Sequence, residues 1–232
     1  MFVKKITSIY NCVARAINKL EKSNHNCPSL VYPSNVQKLM AGLTVRSGLI
    51  NLINKGFLIV NKGDVSFKKA LLVLFYFDQG LFSVDEILDQ IINLCCQTLS
   101  NISHYYNDCE KNLNPYSTKK VTFKDKAITK IYKDIINALD VIQKGVLQKS
   151  VINAAAMIES IEAVDHDINL LSEGIAIVKA QRKFTYYDIV LIMNRFVCGL
   201  TRLLYITRDI QDAIDILNEN IECEQKLIMC NK

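Results

Sequence analysis

The stretch Asp188 to Ile221, DIVLIMNRFVCGLTRLLYITRDIQDAIDILNENI, decides the fold class. Its residues Ile189, Met193, Phe196, Leu200, Leu203, Thr207, Ile210, Ile214, Leu217 and Ile221 recur at alternating spacings of four and three, which places all of them on one side of an α-helix. A stripe this regular is buried most readily against other helices running nearly antiparallel, as in a bundle.

The same period continues upstream. Ala154, Met157, Ile161, Val164, Ile168, Leu171, Ile175 and Val178 predict one helix over 151–181. Ile128, Ile131, Ile135, Ala138, Leu139 and Ile142 predict another, from near Thr122 to Lys144-Gly145. Val84, Ile87, Leu88, Ile91 and Cys95 belong to a helix introduced by Ser83-Val84-Asp85-Glu86, where a Ser-x-x-Glu box would satisfy the free amides of a helix start. Before it, residues 65–77 form a helix that Asp78-Gln79-Gly80 ends. Val36, Leu39, Met40, Leu43, Ile50 and Ile53 carry a helix from Ser34. The tetrad Phe57 to Val60 suits a short strand as well as a helix; Val45 to Val60 faintly resembles the recognition helix and wing of a winged-helix protein, although Asn61-Lys62-Gly63-Asp64 more naturally joins two helices. Residues 2–22 form a basic amphipathic helix bearing Lys4, Lys5, Arg15, Lys19 and Lys22 with the single acid Glu21.

Composition agrees with an all-α antiparallel bundle. Half of the 232 residues are hydrophobic, so the chain folds, and three prolines and eight glycines are too few for a turn-rich β-sandwich. A basic helix and linker (1–33), a first helical half (34–114) and a second half (115–232) follow, the polar stretch 107–120 with Asn114-Pro115 marking the boundary. Shifting the chain by 82 positions matches Ile53 with Ile135, Lys62 with Lys144, Gly63 with Gly145, Asp85 with Asp167 and Leu88 with Leu170. Such a degenerate duplication would give two tandem three-helix bundles, packed separately or as one domain.

The net charge of +5 rests on 28 Lys and Arg, only six of them Arg, and Trp is absent; the forked cations and stacking platforms of specific nucleic-acid binding are missing. Eight cysteines without a Cys-x-x-Cys read as reduced thiols, and Cys198, amid Phe196, Val197 and Leu200, reads as a small core residue. The longest uninterrupted apolar run, Ala70 to Phe77, stops at Asp78, well short of the roughly 20 residues of a membrane span. No secretory h-region opens the chain, so a cytoplasmic protein is expected. Its basic first helix either packs on the bundle or serves as a membrane-surface segment or presequence.

The richest polar cluster is Glu159, Glu162, Asp165, His166, Asp167 and Glu173. Glu162, Asp165 and His166 are the ligands a divalent metal would use, one helical turn apart. At about 100° per residue, however, Glu159, Glu162, His166 and Glu173 lie opposite the apolar stripe and face solvent. A second possible site is the face bearing Arg195, Arg202 and Asp209; Arg195 and Arg202 share one side of the last helix, where they could meet this acidic face or an anionic partner. No phosphate loop or Gly-x-Ser-x-Gly nucleophile motif is present, so neither catalysis nor an organic cofactor is expected.

Ala138-Leu139 before Lys144-Gly145, Glu162 to Ile168, Thr185-Tyr-Tyr-Asp188-Ile189 and Arg208-Asp209-Ile210 together resemble the PhoU-like group of helical phosphate-signalling regulators, over about 80 residues of the C-terminal half. The resemblance implies two similar three-helix bundles, acidic helix motifs that hold metal clusters in some members, and regulation of anion transport. The last helix departs from that pattern, with Thr201, Tyr205 and Arg208 where a Glu-x-x-x-Asp motif would stand, leaving Asp209 and Asp212. Two functions are therefore expected of different kinds: a non-enzymatic regulatory or adaptor protein with a protein partner, or an accessory protein of a virus or intracellular microbe, acting at a membrane surface or on a host protein through its basic N-terminal helix.

Overall fold

The computed structural model describes residues 2–23, 33–106, 126–180 and 184–230, leaving outside it the linker around Cys27 and Pro28 and the boundary around Pro115. Seven helices and no strand make up the described residues: α1 (Phe2–Ser23), α2 (Pro33–Val60), α3 (Phe67–Tyr106), α4 (Lys126–Val146), α5 (Ala154–Ala163), α6 (Asp165–Ala180) and α7 (Tyr186–Cys230). The protein is an all-α helical bundle.

The stripe that decided the fold is also its axis. All ten of its members on α7 are at most 1% exposed. This helix opens two residues before Asp188, with a reciprocal cap: the Asp188 amide donates to Thr185 Oγ1 at 3.2 Å, and the Thr185 amide donates to Asp188 Oδ2 at 2.8 Å. Asp at the third position thus does the work of the Glu in an ordinary capping box.

Side-chain pairs fix the directions. Arg208 of α7 reaches Asp85 of α3, Arg202 of α7 reaches Asp167 of α6, and Arg46 of α2 reaches Glu86 of α3. A second contact along each pair runs the opposite way in sequence: Asp215 lies beside Asp78, Arg195 meets Glu173, and Gly80 abuts Ile53. The neighbours α2, α3, α7 and α6 are therefore successively antiparallel. The first helix, α1, packs on both α2 and α6, which closes the five into a ring, and α4 touches α1, α2, α3 and α7 as a plug. Buried side chains from both halves join one hydrophobic core, from Tyr10 and Ile17 on α1 to Ile221 on α7.

Two sequence expectations are corrected, and one alternative left open is resolved. First, α3 runs unbroken through Asp78-Gln79-Gly80: Gly80 is there because a Cβ would stand 2.4 Å from Ile53 Cγ1, so it permits close helix approach instead of stopping the helix. Ser83 consequently lies mid-helix and bonds the Gln79 carbonyl, while Glu86 pairs with Arg46, so no capping box forms. Second, Phe57 to Val60 is helical. The stop comes at Gly63, whose φ of +80° is open to glycine at little cost, with its amide donating to the Val60 carbonyl. Third, the helix over 151–181 is two helices. Val164, with φ −103° and ψ 6°, interrupts it, and the interruption lets α5 face α4 while α6 faces α7 and α1. Gly145, which the shift by 82 pairs with Gly63, sits inside α4, so the two turns have different geometries.

Candidate functional site

The acidic cluster is dispersed among separate cations. Lys133 of α4 pairs with Glu162, Arg195 with Glu173 at 3.4 Å, and Arg202 with Asp167 at 2.8 Å. Glu159 and His166 are exposed; Asp165 is half-buried, with Oδ1 sealed from water and unbonded. Among the described residues no three His, Cys, Asp or Glu side chains are grouped to hold a metal ion, so Glu162, Asp165 and His166 do not assemble as a ligand set. Arg195 and Arg202 meet the acids of the preceding helix, and as pairs at the protein surface they contribute at most about 1 kcal/mol each.

The basic first helix is bound into the bundle. Tyr10, Val13, Ala14, Ile17 and Leu20 are buried, so the described part of its apolar face packs inside the protein. Lys19 donates to the Val178 carbonyl and lies 5.7 Å from the centre of the Phe184 ring, and Arg15 is exposed. The side chains of Lys4, Lys5 and Lys22 lie outside the described residues.

Sequence reasoning missed a concavity among the described residues. A groove of about 400 Å³ opens between α4, α5 and α7, floored by Ile136, Met157, Ile161, Ile206 and Ile210 and bordered by Asp209 and Asp212. Its wall is the turn from α4 to α5, held by Gln143. The Gln143 side chain accepts from the amides of Val151 and Ile152 at 3.0 and 3.1 Å and donates to the Ile152 carbonyl at 3.1 Å. The Asn153 side chain then caps α5 by accepting from the Ala156 amide.

Asp209 and Asp212 have no cation among the described residues. Partial burial, then the neighbouring Asp212 charge, pushes the Asp209 carboxyl above its ordinary pKa. Asp215 is raised as well, by burial and then by Asp78, Asp212 and Glu219. These carboxylates repel one another, and the field at the groove is negative. In the sequence the signals of the place are the leftover status of Asp209 and Asp212 in the imperfect family motif and the position of Asp209 on the face with Arg195 and Arg202.

Charge is segregated along the chain. Nine Lys or Arg and one acid precede Asp64, whereas six acids and no base fall between Asp209 and Glu224. Two helical segments, Gln37–Val60 and Tyr187–Cys230, are long and apolar enough to cross a membrane, by length and composition alone. The second is the core helix of the bundle. Of the first window only 24% is buried. Cys198, expected inside, is exposed, because it points away from the α7 stripe. Comparison with protein-family models, curated proteins and solved structures finds no match for this chain.

Proposed function

We propose that this protein is a non-enzymatic regulatory adaptor, and that the groove between α4, α5 and α7 takes an apolar, lysine- or arginine-bearing segment of a protein partner. One observation carries the reading: an apolar floor bordered by the carboxylates Asp209 and Asp212, neither of which has a cation of its own among the described residues. An amphipathic helix or strand with cations flanking its apolar residues would bury the floor and answer the charge at once. The PhoU-like resemblance makes a membrane-bound transporter or sensor of anion signalling the class of protein that would supply the segment.

The test uses two synthetic amphipathic helices of equal length, one of leucine and lysine, the other of leucine and glutamate, titrated into the full chain by calorimetry. The lysine peptide should bind, weaken with salt, and lose about tenfold in affinity against Asp209→Asn/Asp212→Asn, a loss on the order of 1.4 kcal/mol. Equal binding of both peptides, or no change in the double variant, would overturn the reading.

A further inference from the structure

One end of the bundle combines exposed apolar side chains with lysines. At the tip of the α2–α3 hairpin, Leu58 is 64% exposed, Leu72 41% and Phe75 54%. The antiparallel register of α3 and α7, fixed by Asp85 with Arg208 and Asp78 with Asp215, brings the last turns of α7 level with the start of α3. Those turns expose Leu227, Ile228 and Met229. Lysines surround the patch. Lys55 stands 5.9 Å from the centre of the Tyr76 ring, itself beside Phe75, and Lys62, Lys68 and Lys226 are exposed. The end of α4 arrives at the same place, Gly145 facing Val65, and adds Lys149.

Of the nearby acids, Asp64 pairs with Lys69 at 2.8 Å and Asp140 with Lys144 at 2.6 Å, which leaves Glu219, Glu222 and Glu224 of α7 against Lys55, Lys62, Lys68, Lys149 and Lys226. The tip therefore presents net positive charge around apolar side chains, the reverse of the acid-bordered groove. Residues 61–64 of the turn are all exposed. An exposed apolar patch among lysines complements the headgroup layer of an anionic bilayer, into which such side chains sink by about 5–10 Å. The sparsely covered apolar length of α2 leads directly into this tip.

We infer that the end of the bundle formed by the α2–α3 turn and the last turns of α7 docks on anionic lipid membranes as a peripheral surface, independently of the groove. Lysine at this end acts as a point charge toward many lipid phosphates, and the apolar side chains supply the part of the attraction that salt does not screen.

Sedimentation of the full chain with vesicles of phosphatidylserine and phosphatidylcholine, against phosphatidylcholine alone, tests this. Binding is expected only with the anionic lipid, falling about fivefold for each lysine removed in Lys62→Gln and Lys68→Gln, and tenfold or more in Leu58→Ser/Phe75→Ser. Tyr205→Ser, an exposed site midway along α7, serves as the control and should bind as the parent does. Circular dichroism confirms that each variant remains helical. No partition onto anionic vesicles, or partition indifferent to both kinds of variant, would overturn the inference. A lipid-free dimer that Leu58→Ser/Phe75→Ser dissociates would overturn it too, by assigning the tip to a second copy.

Discussion

The Tyr132 hydroxyl on α4 and the Thr207 hydroxyl on α7 share a hydrogen bond of 2.9 Å in the buried core. Thr207 gives its one proton to the Leu203 carbonyl, so Tyr132 is the donor to it, and Tyr10 of α1 bonds Tyr132 in turn. The relay links three helices that are far apart in sequence.

Tyr132→Phe should cost about 1–3 kcal/mol, because it leaves the buried Tyr10 hydroxyl without its partner. Tyr10→Phe should cost less, since Tyr132 still donates to Thr207. Thermal unfolding followed by circular dichroism reads the difference, at about 2–4 °C per kcal/mol for a chain of this size.

The same pair sets an alkaline limit. Burial pushes the Tyr132 hydroxyl up to about 12 and raises Tyr10 as well, both from an ordinary value of 10.0. A group whose folded pKa is raised favours folding below its unfolded pKa and loses that contribution as pH climbs to the folded value. Stability should thus hold up to about pH 10 and fall between about 10 and 12. The tyrosinate absorbance and the helical ellipticity should change together; early ionisation of both phenols in a fully helical protein would contradict their burial.

Two glycine-to-alanine changes should have opposite signs. At Gly80 the added Cβ would meet Ile53 Cγ1 at 2.4 Å, and overpacking of this kind costs about 1–3 kcal/mol. At Gly48, on the exposed side of α2, nothing lies within 4 Å, and replacing a helical glycine by alanine gains about 0.5–1 kcal/mol. Denaturant midpoints of the two variants check both signs.

Gln143→Leu should destabilise by about 2–3 kcal/mol by orphaning the amides of Val151 and Ile152. Hydrogen exchange should then accelerate at these two amides before the rest of the core. Because they form the groove wall, affinity for the lysine peptide should fall although Gln143 does not line the groove.

Among the six described cysteines, Cys95 should resist alkylation in the folded protein. Burial, then the neighbouring Cys96, pushes its thiol up to about 12, which leaves almost no thiolate at neutral pH. Cys96, Cys198, Cys223 and Cys230 are exposed and should react first, as peptide mapping after brief labelling would show.

The all-helical class and the buried side of each long helix were legible because periodicity is a local property that burial enforces. Every member of the α7 stripe is inside. Breaks were less legible, because a glycine has two unrelated uses: Gly63 stops a helix through its backbone, whereas Gly80 lets Ile53 come close. Sequence alone shows no partner across space, so Gly80 reads as a stop. Val164 carries no breaker signal at all; the division between α5 and α6 comes from their packing on different neighbours. The acidic residues of 159–173 were recognised, but the cations that answer them lie on α4 and α7 and were invisible as partners. The groove escaped for the same reason, its walls coming from segments up to 80 residues apart.

The ring that α1 closes has a consequence for synthesis. Lys19 meets the carbonyl of Val178, a partner 159 positions later, so on a ribosome adding about 5–20 residues per second the first helix waits roughly 8–30 s for its seat. Through that interval its apolar side can pack on α2 and, once made, on α4, but not on α6. A stall before α6 would leave the ring open, with the first helix lacking one of the two helices that flank it.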